Sequence, residues 1–434
     1  DPEMSRGLGD VYKRQVLIAL ILFLVLIALP KFKKIQWLTD NLNRTTRENL
    51  TGIRVVRAFN AEKYQQKKFE KANKELTDTY KFTAKLMALM SPVMTMIMSG
   101  LSLSIYFIGA YLINEANMLD KINLFSDMVV FSAYAMQVVM AFMMLTMIFI
   151  LYPRASVASK RIVEVLETKQ SIKEGTKQKS PENGTIEFKN VSFKYPDAEE
   201  YMLKDISFKV KQGETVAFIG RTGSGKSTII NLIPRLYDAT EGEVLVDGVN
   251  VKEYKEESLY DRIGYISQKA VMFRGTIEDN VALGTKNGKK PSKEAVKKAV
   301  EIAQGKDFVE KLENKYEFEL AEGGTNLSGG QKQRLSIARA IARDPEIYIF
   351  DDSFSALDYK TDYILRNELN KYTKDKVVVI VAQRIGTIKD ANQIFVIEDG
   401  KIAGHGKHKE LIKNCKVYKE IALSQLGKEE IENV

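Results

Sequence analysis

Residues 220–228 read Gly-Arg-Thr-Gly-Ser-Gly-Lys-Ser-Thr and fit the pattern G-x-x-x-x-G-K-[ST]. They directly follow Thr215–Ile219, a short apolar run that predicts a buried strand, and they open a predicted helix. A strand, a loop and a helix in that order are the context of a phosphate-binding loop. The glycines let backbone N–H groups approach phosphate oxygens, Lys226 reaches the β- and γ-phosphates, and the Ser227 hydroxyl is a ligand for Mg²⁺. The predicted phosphate-contacting residues are Gly220, Thr222, Gly223, Ser224, Gly225, Lys226, Ser227 and Thr228.

Two further segments carry chemistry of the same kind. Residues 347–352 read Ile-Tyr-Ile-Phe-Asp-Asp, an apolar strand that ends in two carboxylates. Asp351 is placed to hold Mg²⁺, and Asp352 is placed to orient the attacking water. Residues 327–331, Leu-Ser-Gly-Gly-Gln, precede a predicted helix over Lys332–Ala342. A serine and two glycines at a helix N-terminus form an anion site.

Composition bounds the class of protein. The chain has 434 residues, enough for two or three domains, and ordinary fractions of hydrophobic and charged residues. These fractions exclude disordered and collagen-like proteins. One cysteine excludes an internal disulfide framework and a cysteine-based zinc site, and two histidines leave little for histidine catalysis. The net charge of +9 is attributed to basic residues near a membrane, so no nucleic-acid partner is expected.

The apolar residues are segregated in the first part of the chain. Uncharged runs cover Val16–Pro30, Leu86–Ile113 and Met128–Pro153. The second and third are long enough to cross a bilayer as helices, and the first is short by about a quarter. Residues 31–85 carry helical apolar spacing and predict long helices broken near Gly52.

Basic residues give the orientation. They are frequent in 31–57 and 154–161, while the loop 114–122 holds Glu115, Asp120 and Lys121. The positive-inside rule therefore places 31–85 and everything after 153 in the cytoplasm. A signal peptide is the alternative for the first run, but no small-x-small cleavage site follows it. Residues 1–15 resemble neither neighbour and are expected to be foreign to the natural protein.

Together these motifs resemble the nucleotide-binding domain of the ATP-binding cassette (ABC) superfamily, and the fused membrane part resembles exporter-type transporters. The resemblance implies spans four (incomplete), five and six of six in 16–166, a linker over 167–180 and a cassette over 181–434. The fold class is thus a partial α-helical transmembrane domain, with three spans, fused to an α/β P-loop ATPase with a helical subdomain. Residues 48–59 resemble the segment that couples membrane domain and cassette. A multi-pass protein of the cell (inner or plasma) membrane with a cytoplasmic cassette is expected.

The resemblance assigns further site residues, with ATP and Mg²⁺ as cofactors. Tyr195 matches the aromatic residue that stacks on adenine, and Gln268 matches a glutamine that contacts Mg²⁺ and senses the membrane domain. Ser355 and Asp358 match the D-loop that follows the catalytic strand. The signature residues that meet the nucleotide of a second cassette are Ser328, Gly329, Gly330 and Gln331.

Two positions depart from the family pattern. Efficient members have Glu where this chain has Asp352, and a switch His where it has Gln383. Asp is one methylene shorter, and Gln cannot become cationic near neutral pH. In the family two cassettes dimerise head to tail around ATP. The two substitutions therefore predict a degenerate catalytic site, and a heterodimer whose other exporter subunit supplies the consensus Glu and His.

The expected cargo follows from the membrane part. Of 15 methionines, 12 lie between Met87 and Met147, and methionine suits adaptable apolar binding surfaces, although lipid-facing filler explains it equally well. Hydrophobic, multidrug-like compounds crossing the lipid bilayer are the predicted cargo. Lipid or peptide export, or an ATP-gated regulator or channel on the same scaffold, are the alternatives. A soluble ABC ATPase acting on DNA or ribosomes is disfavoured, because such proteins lack fused spans.

Overall fold

A computed structural model describes residues 30–32, 34–286 and 288–425 of the chain. It divides into two compact units, Asp1–Lys169 and Gln170–Val434, which are described separately. The expectation for residues 1–15 and the first apolar run, apart from Pro30, fall outside the described residues.

The described part of the first unit is helical. Helix α1 covers residues 34–51, and α2 (Ile53–Ala58), α3 (Glu62–Glu115) and α4 (Met118–Leu166) follow. Gly52 interrupts the first helix as predicted, but helical hydrogen bonds continue on both of its sides. The chain instead breaks at Asn60, which has a φ of 53°. Asparagine is among the few residues that tolerate this left-handed conformation. Past this break, Lys68 on α3 pairs with Glu48 on α1 at 2.6 Å.

Two segments of the described helices are long and apolar enough to cross a membrane, Thr95–Glu115 and Asp120–Ala141. They overlap the second and third predicted runs. The connection between them is shorter than the predicted loop, because α3 extends to Glu115 and α4 begins at Met118. The two helices approach closely where Gly109 packs against Met128. Apolar side chains such as Leu103 and Phe107 are more than two-thirds exposed on the hairpin, as a lipid-facing surface requires.

The second unit is built on three sheets. A six-stranded sheet has the order β12-β11-β3-β10-β9-β6, and it is parallel except for the edge strand β12. A four-stranded antiparallel sheet has the order β2-β1-β4-β5, and β7 pairs with β8. The strands are β1 (Ile186–Phe193), β2 (Leu203–Val210), β3 (Thr215–Ile219), β4 (Glu241–Val246), β5 (Val249–Asn250), β6 (Ile263–Ile266), β7 (Gly275–Thr276), β8 (Glu319–Leu320), β9 (Ile347–Asp351), β10 (Val377–Val381), β11 (Gln393–Glu398) and β12 (Lys401–Gly406).

Helices pack on the central sheet and on one another, and they share a hydrophobic core with it. They are α5 (Lys226–Leu232), α6 (Glu256–Tyr260), α7 (Ile277–Val281), α8 (Lys293–Ile302), α9 (Lys306–Val309), α10 (Gly329–Ala342), α11 (Tyr359–Tyr372), α12 (Ile385–Ile388), α13 (His408–Asn414) and α14 (Lys416–Gln425), with short 3₁₀ turns at Val251–Glu253, Lys315–Glu317 and Glu322–Gly324. Strands β9 and β10 are buried along their whole length, as their continuous apolar sequences predict. The carboxyl ends of β3, β9 and β10 lie side by side and carry the candidate site.

Part of the predicted linker lies on the cassette unit. The backbone of residues 175–177 forms hydrogen bonds with residues 253–255, and Lys177 pairs with Glu253 at 2.7 Å. Arg235, buried and with a φ of 55°, donates a hydrogen bond to the carbonyl of Lys173 at 2.9 Å. The sequence predicted a polar linker here and not these contacts.

Candidate nucleotide-binding site

The phosphate-binding loop has the predicted strand–loop–helix form. Gly225 ends the loop at a φ of 103°, and a Cβ there would lie 2.7 Å from Leu203, so only glycine fits. The ammonium of Lys226 donates to the carbonyls of Gly220 at 2.8 Å and Arg221 at 2.7 Å. Burial lowers the pKa of Lys226, and the carboxylates of Asp352 and Asp351 oppose that shift. The loop therefore carries a desolvated cation that faces two acidic groups.

Asp351 lies at the end of β9 beside the start of α5. Its Oδ1 accepts a hydrogen bond from the Ser227 hydroxyl at 3.0 Å. Tyr265 on β6 reaches its Oδ2 at 3.5 Å and also donates to Asn231 Oδ1 at 3.0 Å. Burial raises the pKa of Asp351. A buried carboxylate next to a serine hydroxyl is a set of hard oxygen ligands that fits Mg²⁺. The structure therefore brings two of the three predicted metal ligands together.

Asp352 is held by amides on both sides. Its Oδ2 accepts a hydrogen bond from Gln383 Nε2 at 3.0 Å and from Gln268 Nε2 at 3.4 Å. Its backbone has a φ of 47° and donates to the carbonyl of Val381 at 2.9 Å. Burial and the neighbouring Asp351 charge raise the pKa of Asp352. Gln268, the third predicted metal ligand, thus contacts the second carboxylate of the strand.

The predicted adenine-stacking residue lies next to the phosphate loop. The hydroxyl of Tyr195 is 3.0 Å from the Thr228 hydroxyl on α5. Its ring makes edge contacts with Phe193 and Tyr237, at centroid distances of 4.8 and 5.3 Å. The tyrosine is half-buried beside the loop.

The signature residues cap the helix that follows them. The Ser328 hydroxyl accepts a hydrogen bond from the Gln331 N–H at 3.3 Å, and the side-chain Oε1 of Gln331 accepts one from the Ser328 N–H at 2.8 Å. Helix α10 therefore begins at Gly329, three residues before the predicted Lys332. A Cβ on Gly329 would meet nothing, and one on Gly330 would lie 3.4 Å from the carbonyl of Ala356. These bonds are local, and the open face at Gly329 is available to a ligand brought from outside.

The predicted D-loop connects β9 to α11. The Ser355 hydroxyl donates to the carbonyl of Asp352 at 2.8 Å. Asp358 is the N-cap of α11 and accepts from the Thr361 N–H at 3.0 Å. Both predicted D-loop residues therefore have a local structural role next to Asp352.

Three residues of the site are not among those that the sequence predicts. Tyr265 and Asn231 support Asp351, and Gln425 contacts the loop of Gln383. Tyr265 precedes Gln268 by three residues on a strand next to β9, so strand adjacency was the available signal. Gln425 had no such signal, because it lies far along the chain from its partners.

Comparison with known proteins gives the family. Residues 203–355 match the model for the ABC transporter, and residues 16–152 match the ABC transporter transmembrane region. The chain is 39% identical over 400 residues to an uncharacterised ABC transporter ATP-binding protein of Mycobacterium tuberculosis, covering 92% of this chain and 68% of that protein. The chain belongs to the ABC transporter family. This half-transporter of the exporter type fuses a transmembrane region to an ATPase cassette, as its sequence predicted.

Other proteins similar to this ABC transporter support the same family membership. An ATP-dependent lipid A-core flippase of Haemophilus ducreyi is 33% identical over 95% of this chain and 70% of its own length. The structure of a bacterial Atm1-family ABC exporter with ATP bound superimposes with a TM-score of 0.81 at 25% identity, covering 96% of this chain and 72% of that one. The matches cover both units, so both belong to one exporter architecture.

Proposed function

We propose that this ABC transporter is the ATP-binding subunit of a heterodimeric membrane exporter, and that its own Walker A site is catalytically degenerate. The observation that carries the proposal is the pair of amides on Asp352 Oδ2, at 3.0 Å from Gln383 and 3.4 Å from Gln268. A carboxylate that orients an attacking water needs a free oxygen at the right place. Here the side chain is shorter than that of Glu, and one of its two carboxylate oxygens, Oδ2, already accepts from two amides.

The neighbouring chemistry strengthens this inference. Asp352 reaches about 1 Å less far than Glu, and a misplacement of that size costs on the order of 10²-fold in rate. Gln383 cannot carry the positive charge that a histidine would bring to the γ-phosphate. The two histidines of the chain are engaged elsewhere. His405 stacks on Phe395 at 4.3 Å, and His408 lies 2.7 Å from the hydroxyl of Tyr418.

The binding elements of the site support ATP and Mg²⁺ as cofactors. Ser227 and Asp351 are the residues that would hold Mg²⁺, which neutralises charge on the β- and γ-phosphates when bound. The buried Lys226 supplies a cation to the phosphates, and Tyr195 supplies a face for the adenine. The site thus retains what is needed to bind ATP while its hydrolytic residues are altered.

The intact signature supplies the argument for a partner. Ser328, Gly329 and Gly330 present a helix N-terminus with an open face. In a head-to-tail pair this face would complete the site of a second exporter subunit that carries Glu and His. A homodimer would hold two altered sites, so a heterodimer fits the residues better.

For the membrane unit, we propose a multi-pass cell-membrane protein with a cytoplasmic cassette and hydrophobic small molecules as cargo. The exposed apolar hairpin of α3 and α4 supports contact with lipid. Lipid export is the second candidate, and the similarity to lipid A-core flippases favours it. Stimulation of ATP turnover by amphipathic drugs or by lipopolysaccharide, measured in nanodiscs on the variant that combines Asp352→Glu with Gln383→His, would separate the two cargo classes.

The catalytic part of the proposal is tested by restoring the consensus. We expect Asp352→Glu combined with Gln383→His to raise phosphate release by the purified chain in nanodiscs by about 10²-fold. Affinity for a fluorescent ATP analogue should stay near that of the wild type. The single Gln383→His variant controls for strain, because Asp352 has a φ of 47° that favours Asp over Glu.

A Lys226→Ala substitution in the restored variant is the matched negative control and should abolish the gain. High turnover by the wild-type chain, unchanged in the restored variant, would contradict a degenerate site. High turnover by a homodimer of the wild-type chain would also remove the argument for a second subunit.

A further inference from the structure

Helix α14, the last helix of the described residues, contacts the loop that carries Gln383. The Gln425 side-chain amide donates to the carbonyl of Gln383 at 2.6 Å, and its Oε1 accepts from the Ile385 N–H at 2.9 Å. One side chain therefore holds two backbone groups of the segment that connects β10 to α12. Both bonds join residues about forty positions apart in the sequence, so they form only when the cassette is folded.

Gln425 also caps the N-terminus of α12, whose own N-cap residue makes no capping bond. The N-cap residue of that helix, Arg384, makes no side-chain capping bond. The first N–H groups of a helix need an acceptor from outside the helix. Gln425 provides one for Ile385 from a different element.

Helix α14 is anchored by packing against the rest of the cassette. Tyr418 and Ala422 on its inner face are fully buried, and the Tyr418 hydroxyl contacts His408 on α13. Glu420, on the same helix, lies 3.4 Å from Arg221 of the phosphate loop. That pair is well exposed and contributes little stability by itself. It does show that α14 runs past both the phosphate loop and the Gln383 loop.

The other supports of the segment lie at its two ends. The Ala382 N–H donates to the carbonyl of Phe218 at 3.2 Å, and Arg366 donates to the carbonyl of Gly386 at 3.0 Å. The Gln425 bonds lie between these two points, where the backbone carries the Gln383 side chain. A shift of that backbone moves the amide that contacts Asp352.

We propose that Gln425 is a positioning residue that sets the place of Gln383 against Asp352, and that α14 thereby connects the C-terminal end of the cassette to the nucleotide site. The inference rests on the proposed role of residue 383 beside the γ-phosphate. Substitution can separate the two bonds of Gln425. Gln425→Ala removes both, whereas Gln425→Glu keeps an acceptor for Ile385 and loses the donor to Gln383.

The test combines amide exchange and kinetics on the full chain in nanodiscs. We expect Gln425→Ala to speed exchange of the Ile385 amide about tenfold. We also expect it to lower kcat for ATP about fivefold with KM within about twofold of the wild type. Gln425→Glu should restore slow exchange at Ile385 but not kcat. Ser424→Ala is the matched control, since its hydroxyl bonds only within α14 to Ile421.

Two results would overturn the proposal. If the Ile385 amide exchanges in Gln425→Ala at the wild-type rate, the two bonds of Gln425 do not hold the loop. Faster exchange with unchanged kcat would leave Gln425 a structural residue only. The kinetics are run in the wild type and in the Asp352→Glu, Gln383→His background. A failure of that background to gain turnover counts against the proposed function, while the exchange rate and the residual kcat of the wild type still decide the role of Gln425.

Discussion

The side-chain amide of Gln383 donates a 3.0 Å hydrogen bond to Oδ2 of Asp352. These are the two positions at which the chain departs from the pattern of efficient ABC ATPases, and they contact each other. The two departures therefore form one contacting pair. The Gln383 amide, which cannot titrate, donates to the carboxylate of Asp352, which is shorter than that of Glu. The effect of a substitution at Asp352 or Gln383 is therefore expected to depend on which residue occupies the other position.

We expect Gln383→His to make ATP affinity depend on pH. A carboxylate at the place of Asp352 Oδ2 raises the pKa of a facing histidine above its ordinary value of about 6.5. Below that pKa the imidazolium adds a positive charge beside the triphosphate, so affinity should rise about fivefold as the pH falls from about 8 to about 6. Binding of a fluorescent ATP analogue measures this. Gln383→Asn is the control, and an equal pH response in both variants would place residue 383 away from the phosphates.

Tyr265→Phe should weaken Mg²⁺-dependent nucleotide binding. The substitution removes the hydroxyl that lies between Asn231 and Asp351 and leaves both acceptors without it. The loss of one such bond is about 1 kcal/mol, which corresponds to roughly fivefold in affinity. Titration of MgATP by calorimetry should show this loss, whereas ATP in EDTA should bind as before.

Tyr260→Phe, on α6, is the matched control for that experiment. An equal loss of affinity with and without Mg²⁺ would show that Tyr265 supports the fold of the site and not the predicted metal ligand Asp351.

Tyr195 should contribute to ATP binding through its ring. Tyr195→Phe keeps the aromatic face and loses only the contact with the Thr228 hydroxyl, so affinity should stay within about twofold. Tyr195→Ala removes the face and should lose about 1–3 kcal/mol of stacking, roughly fivefold to 150-fold in affinity. Competition between ATP and inorganic triphosphate gives the contrast, since triphosphate binding should not distinguish the variants. Equal affinities for ATP in Phe and Ala variants would remove the adenine assignment.

Asp247 should give the cassette a pH-dependent stability. It is fully buried, pairs with Arg262 at 2.9 Å, and shares that arginine with Glu346. Burial raises its pKa to about 6 from an ordinary value of 3.8. Between these values the folded protein holds more protons than the unfolded chain, so the free energy of unfolding falls as the pH rises from about 4 to about 6.

Thermal unfolding across that pH range tests the assignment. The decline of Tm that Asp247 contributes should disappear in Asp247→Asn, and the difference between the two curves should be several degrees. Asp197→Asn, at an exposed position, should follow the wild type. Parallel curves for the wild type and Asp247→Asn would show that Asp247 titrates alike in both states.

Local sequence patterns determine much of this protein. Thr215–Ile219 and Val377–Val381 form strands with the predicted bounds, because a continuous β-branched run suits a strand buried on both faces. The phosphate loop and the capping of α10 also follow from short motifs, whose hydrogen bonds close within a few residues. The family pattern likewise identified Asp352 and Gln383 as the two departures, at the predicted catalytic and switch positions.

The tertiary structure alone decided which distant side chains meet at the site. Tyr265 reaches Asp351 because β6 and β9 are neighbours in the sheet, and Gln425 reaches Gln383 because α14 packs back across that edge. The same holds for Arg235, which binds the linker at Lys173. No periodicity marks a single polar residue whose partner lies tens of residues away, since its contact depends on how whole elements pack.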